Sequence, residues 1–269
     1  MFLNNIFKGF TYDLIIIKII QMKILVCISH VPDTTSKINF TEDNTKFDSN
    51  GVQFVINPND EFGLTRAMWF KEKQGANVTV VNVGTAETEP TLRKALAIGA
   101  DEAIRVNVPA TDGFSVAKQL ANVAKAGAYD LIIAGRESID YNGGMVPGMV
   151  AGLTEANFVN NCIGLEVDGN SAKAIREIDG GKETVSTALP LVIGSQKGLV
   201  EESDLRIPNM RGIMMARKKP LTIVEPVTSE AETTSVAFEK PAPKGAVTLV
   251  DAGNLDELVN LLHNEAKVI

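Results

Sequence analysis

The stretch Asp130-Leu131-Ile132-Ile133-Ala134-Gly135-Arg136-Glu137-Ser138-Ile139-Asp140-Tyr141-Asn142-Gly143-Gly144-Met145-Val146-Pro147-Gly148 decides the fold. Residues 131–134 are apolar without alternation, so the strand they predict must be covered on both faces, as strands of a parallel sheet are. Glycines then separate this strand from a segment of helical character, Met149 to Leu153. In an open parallel sheet ligands bind beyond the carboxyl ends of the strands. Clustered glycines ahead of a helix let backbone N–H groups approach a phosphate, and the helix end adds partial positive charge. The text is neither GxGxxG nor a Walker loop, and it accommodates a plain strand-to-helix loop as well as a phosphate cradle.

The same alternation runs outward from this stretch. Lys23 to Ile28, Asn77 to Val83 and Glu102 to Val106 read as strands, while Asp60 to Gln74, Thr88 to Ile98 and Asp112 to Ala126 carry helical periodicity. Strands alternating with helices predict parallel pairing in an α/β domain. Pro90 falls in the first turn of its helix, Thr88 or Glu87 is positioned to cap it, and Gly99 is placed to end it in the left-handed conformation. Polar text between Phe40 and Val55 brackets short apolar pieces, as a hairpin insertion would. From Cys162 the pattern shortens to alternating segments, Gly164 to Val167 and Ala172 to Glu177, joined through Asp168-Gly169, a hairpin signal. Asp179-Gly180-Gly181 turns the chain into Glu183 to Leu189, and Pro190 introduces the apolar strand Leu191 to Gly194. These strands extend the same sheet or flank it.

The two ends stand apart from this pattern. Residues 1–21 contain the apolar run Leu14 to Ile17, too short to cross a membrane and lacking the ordered regions of a secretory signal. Met22 opens the first strand, and we expect residues 1–21 to be an upstream gene-model extension. Residues 22–226 read as the α/β domain and 227–269 as a C-terminal arm. Val227 to Gly245 is rich in Thr, Ser, Glu and Pro, and an amphipathic helix, Asn254 to Ala266, follows with Asp251 or Asn254 as its N-cap.

Composition narrows the function. The 269 residues are 45% hydrophobic, enough for a large core, and 26 Lys+Arg against 33 Asp+Glu give a net charge of -7, which excludes a whole-molecule field for nucleic acid. Aromatic residues make up 6% with a single Trp, so base-stacking platforms are excluded as well. Cys27 and Cys162 are far apart and not in a CxxC, which fits a reducing cytoplasm and excludes a disulfide scaffold or cysteine-based zinc site. The histidines, His30 and His263, and the absence of a GxSxG elbow leave no acid, base and nucleophile set.

Four candidates remain. Cys27, inside the first strand, reads as a buried thiol, and His30 just beyond it as a satisfied loop residue or a ligand neighbour. Asn57-Pro58-Asn59-Asp60 starts a helix: Asp60 is placed to cap Phe62 or Gly63, and Asn57 with the backbone can meet an adenine or ribose. The basic, Met-rich stretch Arg206 to Pro220 reads as loop, with Met214 and Met215 either exposed to partners or in the core.

Several of these pieces, in order, resemble the beta subunit of electron transfer flavoproteins over residues 22 to about 226. They are Lys23-Ile24-Leu25-Val26 with Val31-Pro32-Asp33; Asn57-Pro58; Thr91 to Asp101; Asp130 to Arg136 with Ile139-Asp140; Arg176 to Gly181 with Leu189-Pro190; and Gly212 to Pro220. The resemblance implies a Rossmann-like fold of the adenine-nucleotide alpha-hydrolase-like type, paired with an alpha subunit that holds most of the redox-active FAD. It implies a structural AMP lined by Cys27, Asn57, Pro58, Asn59, Asp60, Val83, Gly135, Arg136, Ile139, Asp140, Tyr141, Asn142, Gly143, Gly144, Met145 and Val146.

The resemblance further implies that Arg206, Ile207, Pro208, Asn209, Met210, Arg211 and Gly212 form the partner recognition loop, with Met210 where relatives place a leucine anchor. The arm resembles the extension that embraces the alpha subunit. Gly143-Gly144-Met145 replaces the Thr or Gln side chains that relatives turn toward the phosphate, leaving that contact to backbone N–H groups. Thr34 and Asn59 stand near the flavin edge where relatives can have aromatics. The implied role is a cytoplasmic electron carrier, without membrane insertion, between acyl-CoA and related dehydrogenases and a membrane quinone reductase. A bifurcating, NADH-oxidising flavoprotein with a second FAD is the alternative within the family, and a stand-alone nucleotide sensor the rival outside it.

Overall fold

The computed structural model describes residues 21–243 and 245–269. The expected extension over 1–21, Gln21 excepted, lies outside the described residues. The chain runs β1 (Lys23–Cys27), β2 (His30–Pro32), β3 (Phe54–Ile56), α1 (Pro58–Gln74), β4 (Asn77–Val83), α2 (Glu89–Ile98), β5 (Glu102–Val106), α3 (Gly113–Gly127), β6 (Leu131–Gly135) and α4 (Val146–Thr154). It continues with β7 (Asn157–Asp168), β8 (Ser171–Ile178), β9 (Gly181–Ala188), β10 (Leu191–Ser195), α5 (Met210–Ala216), β11 (Leu221–Val224) and α6 (Leu255–Asn260). The nine-stranded sheet has the order β11-β5-β4-β1-β6-β10-β7-β8-β9, parallel from β11 to β7 and antiparallel over β7-β8-β9.

The alternation of side chains along each strand builds two cores. Ile24, Val26, Val78, Val80, Leu131, Ile133, Leu191 and Ile193 face one layer, where Leu64, Ala67 and Met68 of α1 and Leu92 and Leu96 of α2 cover them. Their sequence neighbours Leu25, Cys27, Val81, Ile132, Ala134 and Val192 face the other, under Leu120 and Val123 of α3 and Val150 and Ala151 of α4. Burial on both faces is why these strands carry no polar alternation. The α/β expectation is met, and the segments after Cys162 extend the same sheet. They begin earlier than expected, at Asn157, because β7 first pairs with β10 and only then with β8.

Local details correct several expectations. Thr88 does not cap α2: a short 3-10 turn, Ala86–Thr88, precedes the helix, and the Thr88 hydroxyl donates to the Thr85 carbonyl at 3.0 Å. Gly99 ends α2 with φ 150°, positive but outside the left-handed basin, where a Cβ would lie 2.6 Å from Met68 Sδ. Asp112, expected as the first residue of its helix, instead caps α3, in a capping box with Ser115. The expected loop over Arg206 to Pro220 contains α5, because Asn209 caps it by accepting from the Gly212 N–H at 2.8 Å. The insertion over Phe40 to Val55 is held by an antiparallel Phe40–Phe47 bridge and by β2 pairing with β3, neither of which the text located.

Among the described residues two compact units result, 21–38 with 49–234, and 39–48 with 235–243 and 245–269. In the first, Gln119 exchanges two hydrogen bonds with the backbone of Val227, and the Asp112 carboxylate accepts from the N–H groups of Glu232 and Thr233, so residues 227–234 run along α3. In the second, Phe40 stacks on Phe238 at 4.9 Å and the Phe238 N–H donates to Asn44 at 2.7 Å. Asn254 caps α6, and Leu255, Leu258 and Val259 are exposed on it. Among the described residues, no helix is long and apolar enough to cross a membrane and no cluster suits a metal ion.

Candidate functional site

The winding of the sheet creates one crevice by topology. From β1 the chain moves outward to β4 and β5, then returns to the opposite side of β1 to form β6 and, further on, β10. The carboxyl ends of β1 and β6 therefore flank the point where the strand order reverses, which is where open α/β sheets bind ligands. Cys27 ends β1, Val83 ends the adjacent β4, and Gly135 ends β6. The structure thus gathers at one edge three residues that lie far apart in sequence.

Asn57 and Asp60 organise this edge rather than point out of it. Both are buried, at 0% and 1% exposure. Asp60 does not cap its helix, which corrects that expectation: Asn57 occupies the N-cap position and makes no side-chain cap. The Asp60 carboxylate instead reaches across two strand ends, accepting from the N–H of Ser29 at 2.7 Å and of Gly135 at 2.8 Å, and from the Asn57 amide at 3.0 Å. The Asn57 amide also donates to the Glu137 carbonyl at 2.9 Å and accepts from the Ile139 N–H at 3.3 Å. Asn59 adds a donation to Glu137 at 3.2 Å. These bonds fasten the start of the loop that follows β6, so the Asn57 side chain positions that loop and has no donor left for a ligand.

Burial sets the electrostatics. Asp60 is pushed up to about 7, desolvation outweighing the donors from Ser29, Asn57 and Gly135 that favour the carboxylate. Burial, with the nearby Asp60, pushes the Cys27 thiol up, so it is an apolar lining group and no nucleophile. His30 stacks on Phe54 at 4.3 Å and pairs with the Thr91 hydroxyl at 2.8 Å; it is the satisfied residue of the two readings, with burial lowering its pKa.

Beyond Ile139 the loop opens to solvent. Asp140, Tyr141, Asn142, Gly144 and Met145 are exposed, Arg136 and Gly143 less so, and Val146 starts α4. A Cβ on Gly135 would meet Asp60 Oδ1 at 2.2 Å, so the chain's own packing demands that glycine. A Cβ on Gly143 would meet nothing within 4 Å, and one on Gly144 only the Arg136 carbonyl at 3.4 Å. Packing therefore does not demand either of the two adjacent glycines before this helix, and they leave the backbone open to close approach. No side chain caps this helix start, and Pro147 in its first turn has no N–H, so the donors here are the backbone N–H groups around it.

The remaining expected residues lie outside the crevice. Thr34 is exposed in the turn after β2. Arg206 to Gly212 lead into and begin α5, which packs on α2 with Gly212 against the Ala97 carbonyl. Ile207 and Met210 are exposed at 85% and 75%, as are Met214 and Met215, which settles those two methionines as surface. Sequence reasoning missed Ser29, whose contribution is a backbone N–H, and Ser195, whose hydroxyl donates to Asn59 O at 2.8 Å and Ala134 O at 3.1 Å. A serine closing an otherwise apolar strand was the one signal available for the second.

The family model for the electron transfer flavoprotein domain matches residues 45–229. The chain is 34% identical to the electron transfer flavoprotein subunit beta of Bacillus subtilis (strain 168), over 92% of its own length and 100% of that protein's. It is 31% identical to the human electron transfer flavoprotein subunit beta, over 86% and 93%, and 33% identical to the mitochondrial subunit beta of Arabidopsis thaliana, over 92% and 100%.

Proposed function

Because this chain belongs to the beta subunit family of electron transfer flavoproteins, we propose that it is the nucleotide-binding, partner-docking half of a heterodimer that shuttles electrons. It joins an alpha subunit that contributes most of the binding surface for FAD, accepts electrons from acyl-CoA and related dehydrogenases, and passes them to a membrane quinone reductase. FAD, when bound between the subunits, supplies the redox chemistry. This chain supplies a structural AMP site, a docking helix and an arm. The two free buried cysteines suit a reducing compartment, which we take to be the cytoplasm.

The observation that carries the reading is the crevice at the ends of β1 and β6 with its glycine loop running into α4. Cys27 and Val83 offer an apolar wall, and the backbone of Gly143 to Val146 offers donors for a phosphate. Asn57 and Asp60 hold the loop in place for it. We divide the chain accordingly, with 22–226 as the nucleotide domain and 227–269 as the arm whose final helix docks on the alpha subunit. Exposed Leu255, Leu258 and Val259 support that docking.

The test is the nucleotide content of the chain co-purified with its alpha-type subunit, released by denaturation and separated by chromatography. One FAD and one AMP per heterodimer is the expected result. Two FAD and no AMP would overturn the AMP assignment and identify the bifurcating type. Docking is tested separately: Met210→Ala is expected to raise the KM for the flavoprotein in dehydrogenase assays about tenfold while the heterodimer still assembles. Unaltered transfer kinetics would remove Met210 as the anchor.

A further inference from the structure

Between α2 and α5 lies a groove of about 510 Å³, within the range of about 300–1,000 Å³ typical of ligand pockets. Pro90 and Pro208 wall it, Ala97 and Ala216 are small and buried, and Ile213 stands at 41% exposure on α5. The groove is preformed, because the two helices are locked together. A Cβ on Gly212 would meet the Ala97 carbonyl at 2.3 Å, so only glycine lets the backbones approach this closely. Arg93 of α2 donates to the carbonyls of Ala216 at 2.9 Å and Lys219 at 3.0 Å, at the end of α5. Lys219 donates in return to the carbonyls of Leu96 and Ala100, at the end of α2. The carbonyls at the end of α5 are thus capped by a cation of α2, and those at the end of α2 by a cation from the turn that follows α5.

The charge around the groove is unbalanced in one direction. Arg93 has Glu89 at 3.4 Å and Lys94 has Glu61 at 2.8 Å. Arg217, which lines the groove and is exposed, forms no ion pair among the described residues, and exposed Lys218 follows it. An apolar hollow with an unneutralised guanidinium at its rim, on a chain whose net charge is -7, is a local feature that fits an apolar group carrying an acid beside it.

We propose that this groove is a second recognition point for the redox partner protein, receiving an apolar side chain flanked by a carboxylate that pairs with Arg217. The inference rests on the docking role proposed above and deepens it. Met210 projects outward as a knob, and the groove beside it is a hole for a knob of the partner, so the contact interlocks in both directions. Paired anchors of this kind concentrate binding energy in a few residues. The unpaired cation steers acidic partners and sets the register in which they dock.

The test uses the heterodimer and an acyl-CoA dehydrogenase, measuring KM for the flavoprotein and kcat over a range of salt concentrations. Ile213→Trp fills the groove mouth, Arg217→Glu reverses the rim charge, and Arg217→Lys keeps it. Ile213→Trp and Arg217→Glu are each expected to raise KM about tenfold with a smaller effect on kcat. Arg217→Glu should also flatten the salt dependence, and Arg217→Lys should restore most of the lost affinity. An unchanged KM in Ile213→Trp overturns the inference; if Met210→Ala is impaired in the same assay, the docking helix stands without the groove. If all of these variants behave like the unaltered chain, the docking role itself fails.

Discussion

Asp60 concentrates at one residue what holds the crevice together. Its folded pKa of about 7 lies above the ordinary carboxylate value, so between about pH 4 and 7 the native state binds more protons than the unfolded chain. The stability this contributes is present below that window and is lost as pH rises through about 7. Denaturant midpoints of the purified heterodimer should therefore fall from pH 5 to pH 8, and Asp60→Asn should remove that slope. The same substitution turns an amide donor toward the N–H of Ser29 or Gly135, so it should lower stability by about 1–3 kcal/mol at pH 5. A slope that persists in the variant would assign the effect to another group. Gly135→Ala makes a complementary test, because its Cβ would fall 2.2 Å from Asp60 Oδ1 and 2.8 Å from Asn57 Nδ2. Neither atom is the free end of a flexible chain, so a loss of about 1–3 kcal/mol is expected in chemical denaturation.

The element that matters most is the loop from β6 into α4, whose two halves are built differently. Its first half is tied down by Asn57 and Asn59 through the Glu137 carbonyl and the Ile139 N–H. Its second half, Gly143 and Gly144, is spared by the chain's own packing. Gly144→Val separates the roles: its Cβ meets only one carbonyl at 3.4 Å, so the fold should survive while AMP content on purification drops severalfold. Full AMP retention in that variant would falsify the assignment of this loop to the phosphate. The helix α5 shows the opposite economy. At seven residues it is too short to persist alone, and it stands because Asn209 caps one end while Arg93 caps the other. A rigid helix keeps Met210 and the neighbouring methionines exposed at little entropic cost on docking.

At the scale of the whole molecule, the two units divide the labour. Among the described residues, the unit formed by 21–38 and 49–234 contains both hydrophobic clusters and the crevice, whereas the unit of 39–48 with the C-terminal segment from 235 contributes no residue to either cluster. A chain ending at Thr234 should therefore keep the cooperative unfolding of the α/β sheet. It should fail to co-purify with the alpha subunit, since α6 and its exposed apolar face are gone. Size-exclusion chromatography of the co-expressed pair checks this; a stable heterodimer with the truncated chain would show that the α/β domain alone makes the interface.

Much of this was legible in the text because it rests on local pattern. The unbroken apolar runs at Lys23 to Ile28, Asn77 to Val83 and Asp130 to Ala134, alternating with helical periods, predict a parallel sheet covered on both sides. The order of the quoted motifs points to the family. The text did not reveal the partners of buried polar groups: Asp60 looks like a cap from its position before a helix, and only the approach of β1 and β6 gives its carboxylate the N–H groups of Ser29 and Gly135. Likewise Arg93 and Lys219, far apart in sequence, become a lock only where α2 and α5 meet, and the groove between these helices has no signature in either segment. Periodicity and turn chemistry act over a few residues and are written in the sequence. Hydrogen bonding across strand ends and cavities between helices depend on which distant segments the core brings together, and that was decided by the tertiary structure.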